Sequence, residues 1–373
     1  DYSDRTLDIS DEYLYIYADA RIEFITLKTD IEKNDTDATS STNARGVIYG
    51  NWQNLKIGRG LKQSTSSSWW DTYDAVNANS IMGGNNSGVG SKRSPEKYKL
   101  IVESGLYNTA EVVNGGTSRG NCYVGAQAIF GNDYDRITNN NDSMEVYFSA
   151  VGSWGSSIYS GNDNQDLAFD TVIKSGKYGS DKSDVSSGYY VGGRGYGTHY
   201  APKRTIVEGG WIYNLNGGPL TANTSDELNE TYTYVKGGQV DFVFGGAGTT
   251  TTYGNRIIGV TGGTINYAVF GGSNGYLGSN NDGKLSSIGF VYIGGNAVIG
   301  NDNYQLSGNE NWGVEKGSVF GIGNGKSSST SIGSAKGSIV IIDRDAVINN
   351  NVYGGGNYGS VGTSGTGTSD IKI

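Results

Sequence analysis

The sequence has very little cysteine, histidine or proline: its 373 residues include 1, 1 and 3 of them. A single cysteine excludes an internal disulfide, and Cys122, in a short apolar run, is expected to be a small buried side chain. One cysteine and one histidine, His199, cannot form a zinc site. No apolar run approaches the ~18 residues of a membrane-spanning helix, so the sequence predicts no transmembrane segment.

Basic residues are outnumbered as well. Lysine and arginine total 28 against 37 acidic residues, which gives a net charge of −9 and a pI near 4.8. A nucleic-acid partner would need a basic stripe, and the longest basic cluster, residues 92–99, is too small to form one. The sequence therefore predicts no nucleic-acid partner.

Helical patterns are also missing, whereas glycine and tyrosine are abundant, with 61 and 27 residues. Apolar residues do not recur at the i, i+3, i+4, i+7 spacing of a helix. Val, Ile, Phe and Tyr instead form short alternating runs between Gly, Asn, Ser and Asp, which is the pattern of strands and turns. The composition indicates an all-β protein.

One repeated motif consists of a β run, a pair of glycines and a second β run. Its four clear copies are centred on Gly209-Gly210, Gly237-Gly238, Gly262-Gly263 and Gly294-Gly295. The first glycines of these pairs lie 28, 25 and 32 residues apart. Weaker copies precede them around Gly105 and Gly176, and a degenerate copy follows at 341–347.

A second motif, in which an aromatic residue precedes glycine, comes a few residues after the first. It reads Val243-Phe244-Gly245-Gly246, Val269-Phe270-Gly271-Gly272, Val319-Phe320-Gly321 and Val352-Tyr353-Gly354-Gly355-Gly356. A period of 25–32 residues with short strands and no helix is typical of a β-solenoid, in which stacked coils bury a continuous core. Glycine suits the corners because it adopts positive φ at little cost.

We therefore predict a right-handed, single-stranded parallel β-helix with irregular loop insertions in the N-terminal half. Residues 1–60 are expected to form N-terminal strands or a cap, and residues 61–373 the β-helix itself, most regular at 200–360. The Gly-, Ser- and Asn-rich stretches 152–166 and 177–188 are predicted to be loops. The final residues, 369–373, read as the start of another strand, which suggests a chain cut from a longer protein.

The strand pattern makes two finer predictions. Val240, Phe242 and Phe244 alternate with the residues between them, so they are expected on one face of this strand, where stacked inward positions would form aliphatic and aromatic ladders. Glu208 and Lys236 hold the same place before successive glycine pairs, so they either form an outward ion pair or are separately solvated.

The sequence has no recognisable catalytic pattern. Many β-helix proteins act on polysaccharides, but the Asp-Asp pair and Gly-His-Gly triplet of the polygalacturonase-like family are absent. The glycine-rich segment 354–359 matches a dinucleotide fingerprint, yet no helix follows it, so it is interpreted as a corner. We predict no catalytic residue, no metal site and no cofactor. The acidic groupings nearest to a lyase site, interpreted as turn residues, are Asp133/Asp135/Asp142 and Asp163/Asp166/Asp170, the latter close to Lys174.

Tryptophans beside Gly, Asn and Ser are the remaining functional hint. Aromatic rings at a wet surface can stack on sugars or anchor a partner. The alternative is that these rings cover the ends or sides of the core. The ligand-binding candidates are Trp52, Trp69, Trp70, Trp154 and Trp312.

The repeated Val-Phe-Gly-Gly segments and residues 352–359 resemble large bacterial surface proteins with Gly-rich right-handed β-helix repeats, of the adhesin-like kind. The resemblance covers about residues 100–373 and is structural. It implies an extracellular or cell-surface location and binding to a host or cell-surface glycan or protein. The expected function is a non-catalytic adhesin or stalk. The alternatives are a polysaccharide-active β-helix enzyme, either a lyase or a glycoside hydrolase, and a surface filament or layer subunit that self-associates end to end.

Overall fold

The structure is a computed structural model that describes the C-terminal half in longer stretches separated by gaps and the N-terminal half in short segments. The longer described stretches are 203–221, 230–246, 254–274, 285–305, 313–325 and 335–358, with residue 361 and residues 368–373. The shorter ones are 6–8, 13–22, 26–28, 47–49, 53–57, 62–63, 75–76, 80–82, 99–102, 105–108, 111–113, 117–118, 121–122, 127–130, 146–149, 157–159, 169–174, 177–178 and 190–196.

The described residues are all β, with 33 strands and no helix. The strands are β1 (Thr6–Asp8), β2 (Tyr13–Tyr15), β3 (Ala20–Ile22), β4 (Thr26–Lys28), β5 (Val47–Tyr49), β6 (Leu55–Ile57), β7 (Lys62–Gln63), β8 (Ala75–Val76), β9 (Ser80–Met82), β10 (Lys99–Val102), β11 (Gly105–Asn108), β12 (Glu111–Val113), β13 (Thr117–Ser118), β14 (Asn121–Cys122), β15 (Gln127–Phe130), β16 (Val146–Ser149), β17 (Ser157–Tyr159), β18 (Phe169–Ile173), β19 (Lys177–Tyr178), β20 (Tyr190–Tyr196), β21 (Lys203–Val207), β22 (Trp211–Thr221), β23 (Thr231–Val235), β24 (Gln239–Phe244), β25 (Arg256–Val260), β26 (Thr264–Phe270), β27 (Leu285–Ile293), β28 (Val298–Ile299), β29 (Ser318–Phe320), β30 (Ala335–Ile342), β31 (Val347–Ile348), β32 (Val352–Tyr353) and β33 (Thr368–Lys372).

Two large parallel sheets contain most of these strands. The first has eleven strands in the order β3-β6-β10-β15-β18-β21-β23-β25-β27-β30-β33, and the second has seventeen. Strands β1, β4 and β7 form a small parallel sheet, and β13 pairs antiparallel with β14, the strand that contains Cys122. The all-β, parallel part of the sequence prediction is therefore confirmed, and the arrangement is consistent with a β-solenoid.

The register of the eleven-stranded sheet aligns the repeats that the sequence predicts. The last residue of each strand before a glycine pair lies beside its counterpart in the next repeat. The degenerate copy at 341–347 joins the same row through β30. The aligned residues are Val207, Val235, Val260, Ile293 and Ile342.

The seventeen-stranded sheet consists of two columns of strands. Each column adds one parallel neighbour per pass of the chain. The first column contains β8, β11, β16, β19, β28, β31 and the N-terminal parts of β22, β24 and β26. The second contains β2, β5, β9, β12, β17, β20, β29, β32 and the C-terminal parts of β22, β24 and β26.

Three stretches that the sequence predicted as turns or loops contain strand residues. Strand β17 falls within 152–166 and pairs with β12 and β20, and β19 falls within 177–188 and pairs with β16 and β22. Asp170 lies in β18 opposite Arg204 of β21, not in a turn. Short strands in polar surroundings were missed because their pairing comes from the neighbouring passes, which local composition does not record.

The glycine-pair corners have the backbone that the motif predicts. The second glycine of each pair, at 210, 238, 263 and 295, has φ between 57° and 81°. In the degenerate copy Arg344 stands where the second glycine would be, and positive φ moves to Asp345, at 71°. Aspartate tolerates this region better than most residues, which explains how the corner survives without glycine.

The second motif forms an aromatic ladder. The rings of Phe244, Phe270, Phe320 and Tyr353 stack on one another, with centroids 4.9, 4.7 and 4.9 Å apart and interplanar angles of 13° or less. The glycines that follow stack too: a Cβ on Gly245 would lie 2.7 Å from the carbonyl oxygen of Gly271. The motif thus stacks aromatic rings in one column and glycine residues, which have no side chain, in the adjacent column.

Both faces of β24 are buried, which the alternating pattern does not by itself predict. Every residue from Val240 to Phe244 is buried, including Asp241. Phe242 and Phe244 form a hydrophobic cluster with Val314, against which Tyr304 packs. Residues 300–317 join β28 to β29, and we call them the covering segment, of which 306–312 lie outside the described residues. Tyr304 and Val314, in the described parts of this segment, supply the cover that the alternating pattern could not indicate.

Candidate functional site

The predicted ligand-binding tryptophans Trp52, Trp69, Trp70, Trp154 and Trp312 all lie outside the described residues. The same is true of His199 and of every acidic candidate except Asp170. These predictions stay predictions. The described residues nevertheless contain two other arrangements with functional chemistry, one on the outer face of the eleven-stranded sheet and one buried beneath the covering segment.

The first arrangement, which we call the aromatic band, consists of Tyr232, Tyr234, Phe290 and Tyr292. Alternation along β23 buries Thr231, Thr233 and Val235 and leaves the two tyrosines half-buried on the opposite face. Phe290 and Tyr292 occupy the same face of β27 and are also half-buried.

Register places the aromatic band in two adjacent rows. Tyr232 aligns through Ile257 with Phe290, and Tyr234 aligns through Gly259 with Tyr292. Each pair is thus two strand spacings apart, about 9.6 Å. The absence of a side chain at Gly259 matters, because a Cβ there would lie 2.9 Å from Cδ1 of Tyr234.

Carboxylates hold two of the tyrosine hydroxyls in the aromatic band. Tyr232 donates to Glu230 at 2.5 Å, and Tyr292 donates to Asp343 at 2.9 Å. These hydrogen bonds raise the pKa of both tyrosines, and the bond from Tyr292 lowers the pKa of Asp343. The rings of Tyr232 and Tyr234 lie 6.2 Å apart at 25°. The result is an ordered aromatic surface flanked by hydrogen-bonding carboxylates.

The second arrangement, the Asp241 cluster, consists of Trp211, Asp241, Asn266 and Tyr304. Oδ1 of Asp241 accepts hydrogen bonds from Nε1 of Trp211 at 3.1 Å and from Nδ2 of Asn266 at 2.7 Å. Oδ2 accepts a hydrogen bond from the hydroxyl of Tyr304 at 2.6 Å. The carboxylate is fully buried and therefore depends on these donors in place of water.

Burial raises the pKa of Asp241 to about 6, although the hydrogen bonds from Asn266, Tyr304 and Trp211 each act to lower it. Burial is also the main reason that the pKa of Tyr304 is raised, and the neighbouring Asp241 charge adds to it. Asp241 therefore changes charge near pH 6, where most other carboxylates are already ionised. Full burial keeps it from touching a substrate in this conformation.

An amide ladder continues from the Asp241 cluster into the covering segment. Asn301 donates through Nδ2 to Oδ1 of Asn266 at 3.0 Å. Lys316, at the other end of the segment, donates to the backbone oxygen of Tyr304 and lies 5.6 Å from the ring centroid of Tyr267. Both ends of the covering segment are thus attached to the same part of the sheet.

Sequence reasoning missed both arrangements. Asp241 did carry a local signal, because it is a lone carboxylate inside the apolar run Val240–Phe244. The partner Tyr304 is 63 residues away, and no motif links the two positions. Tyr232, Tyr234 and Tyr292 lie within recognised repeats, and strand register alone brings them to one face.

Among the described residues, no group of three or more His, Cys, Asp or Glu side chains is placed to hold a metal ion. No described helix has the length and apolar character needed to cross a membrane. Comparison with known proteins gives no match to any family model, curated protein or solved structure.

Proposed function

We propose that the chain is a right-handed parallel β-helix and serves as a non-catalytic extracellular surface module, an adhesin or stalk that binds glycan or protein surfaces. Support for the β-helix comes from the order in which the chain visits the eleven-stranded sheet and then the two columns of the seventeen-stranded sheet. Parallel crossover connections are overwhelmingly right-handed.

The observation that carries the binding function is the aromatic band. Its four rings lie half-exposed on a surface whose spacing is set by parallel strand register. Interaction sites are enriched in tyrosine because the ring offers large contact area at low entropic cost. Rows of rings two strands apart, flanked by carboxylates, suit an extended neutral glycan whose sugar faces stack on the rings while its hydroxyls hydrogen-bond at the rim.

The test is binding of the purified protein to arrayed neutral and uronate glycans and to cell-surface protein fractions. Replacing Tyr234 and Tyr292 with alanine is expected to weaken glycan binding by about tenfold or more, at ~0.5–1.5 kcal/mol per aromatic contact. The matched control is Tyr358→Ala, which removes an exposed tyrosine outside the band and is expected to bind normally.

Three outcomes would contradict the proposal in different ways. Equal binding by the double variant and the control would remove the aromatic band as the site. Release of glycan products, with or without calcium, would refute the non-catalytic function and favour the polysaccharide-active alternative. Failure of the wild-type protein to bind any arrayed surface would refute the adhesin itself.

A further inference from the structure

Two rows of residues run across the outer face of the eleven-stranded sheet, perpendicular to its strands. The aromatic band lies in the middle of both rows, and the same parallel register continues them by one strand on each side. From β21 to β30 the first row is Arg204, Tyr232, Ile257, Phe290 and Ile339, and the second is Ile206, Tyr234, Gly259, Tyr292 and Ile341. Each row therefore spans five strands, or about 19 Å.

The two rows form an almost uncharged surface. Arg204, at one end of the first row, is the only charged residue among the ten. The other residues are half-buried aromatic or aliphatic side chains, apart from Gly259, which has none. We call these nine residues the track. A ligand that lies along the track must present apolar surface over several strand spacings.

Tyr234 and Tyr292 lie low on the sheet because two glycines leave room for their rings. A Cβ on Gly259 would lie 2.9 and 3.2 Å from Cδ1 and Cε1 of Tyr234, so this ring leans across β25. A Cβ on Gly294 would lie 2.7 and 2.8 Å from Cζ and Cε1 of Tyr292, so this ring leans along its own strand. Rings that lean against the sheet form a low surface, which suits a flat ligand.

The charges around the track favour a neutral ligand. Glu230 borders the track on the side where the strands begin, and Asp343 borders it on the side where they end. Arg204 lies at one end, and Lys236 follows Tyr234 on the same face of β23, where both cations are exposed. Because both signs surround the track, neither a polyanion nor a polycation meets a margin of purely opposite charge.

We propose that the track binds a neutral β-1,4-linked chain of glucose-type sugars, which lies across the strands with one sugar per strand. This inference rests on the proposed function, because it specifies the glycan that the aromatic band would take. The linkages of such a chain are all equatorial, so the chain is straight and flat. One sugar of the chain is about as long as the strand spacing of ~4.8 Å.

The alternation of the aromatic residues fits the same chain. Successive sugars of a flat β-1,4-linked chain are turned over, so every second sugar presents the same face to the surface below. In both rows of the track the aromatic residues recur at every second strand, β23 and β27. Tyr234 and Tyr292 are thus positioned to stack on equivalent sugar faces. Chains with α-1,4 or β-1,3 linkages curve, so they leave a straight track and keep fewer ring contacts.

The test compares glucose oligosaccharides of two to six units with β-1,4, α-1,4 or β-1,3 linkages, by calorimetric titration of the whole chain. At six units the β-1,4-linked compound is expected to bind about tenfold tighter or more, the factor for losing one or two ring contacts. Its affinity is expected to rise up to about five units, one for each strand that the track crosses, and then to level off.

A charge at the last strand of the track tests the direction of the ligand. Ile341→Asp is expected to reduce the length at which affinity levels off from about five units to about four, because an unpaired carboxylate would lie under the last sugar. The matched control is Val347→Asp, which adds the same charge at an exposed position in the other sheet and is expected to bind as the wild type does.

The outcomes separate this inference from the proposed function. Equal affinity for the three linkages, or no gain beyond two units, would overturn the β-1,4 assignment and leave glycan binding by the aromatic band in place. Binding to cell-surface protein fractions, without binding of any oligosaccharide, would overturn the assignment and the glycan part of the proposed function together. An Ile341→Asp variant with the wild-type length dependence would refute the arrangement of one sugar per strand.

A second variant applies if Ile341→Asp does not fold. Tyr292→Phe removes the hydroxyl that donates to Asp343 and keeps the ring. The preference for β-1,4 linkages is expected to persist in this variant, because the ring face and not the hydroxyl makes the contact. Loss of the preference would refute stacking on the track.

Discussion

Replacing Gly238 with alanine tests why the corners need glycine. Glycine permits the positive φ of the corner, and it also lets the backbones of successive repeats approach closely. Gly238 has φ of 76°, and a Cβ there would lie 2.6 Å from the carbonyl oxygen of Gly210 in the preceding repeat. Gly313 provides a matched control, because its φ is 67° but its nearest neighbours would be atoms of the Tyr358 ring at 3.8 Å. The two sites share the backbone conformation and differ in the space available.

The expected magnitudes separate the two effects. An alanine in the left-handed region costs about 1–2 kcal/mol at either position. The reduced freedom of the unfolded chain offsets part of this equally in both variants. At Gly238 the added methyl group also meets backbone atoms that cannot rotate away, which adds about 1–3 kcal/mol as in overpacked cores. Before this offset, Gly238→Ala is expected to cost about 2–5 kcal/mol and Gly313→Ala about 1–2 kcal/mol, and the offset leaves the difference of about 1–3 kcal/mol between them unchanged.

Hydrogen exchange is the suitable assay because long repeat proteins often depart from two-state unfolding. The amides of Lys236 and Gln239 donate to Val207 and Gly210 across the affected corner, each at 2.8 Å. Gly238→Ala is expected to reduce their protection by about fivefold or more, since a net cost of about 1 kcal/mol corresponds to that factor. Gly313→Ala should leave these amides unchanged. Equal losses in the two variants, or no loss at Gly238, would refute the stacking argument.

Three further predictions concern the ladders and the surface. Phe270→Ala, which removes a fully buried ring between two stacked neighbours, should cost about 3–5 kcal/mol, measured as lost exchange protection at the amides of Gly245 and Gly271, which donate to Phe270 and Phe320. A cost under about 1 kcal/mol would contradict the ladder's role. Asn324→Ala removes the middle of the ladder Asn274–Asn324–Asn357, with bonds of 3.3 and 2.9 Å, and should cost about 1–3 kcal/mol. The measurement is exchange protection at the amides of residues 324 and 325, which donate to Ser273 and Asn357, and unchanged protection would count against the ladder. Lys236→Met breaks the exposed 3.9 Å pair with Glu208 and should change stability by less than about 1 kcal/mol, whereas a larger and salt-sensitive loss would show that the pair is more than a surface contact.

The ion pair between Glu208 and Lys236 also shows what the repeat pattern can and cannot predict. The pattern placed Glu208 and Lys236 at equivalent positions and left open whether they meet. In the structure the two side chains form the ion pair, because parallel register brings β21 and β23 side by side. A sequence period specifies which residues are equivalent, whereas the contact also depends on side-chain conformation.

The candidate sites were less accessible to sequence reasoning. The five predicted tryptophans lie outside the described residues, and Trp211, which sequence reasoning did not choose, lies in a hydrogen-bonded cluster. The aromatic band was hidden because its two rows are interrupted by Ile257 and Gly259. Neither arrangement is a motif, so neither could be found by spacing.

The sequence by itself determined the all-β character, the parallel stacking of repeats and the places where the chain turns. These features depend on local rules: alternation defines strands, and the glycine pairs permit positive φ at the corners. Only the tertiary structure decided that β24 is buried on both faces and that Asp241 meets Asn266 and Tyr304, which are 25 and 63 residues away. The physical reason is that burial and hydrogen bonding depend on which segment covers a strand, and the covering segment lies outside the repeat.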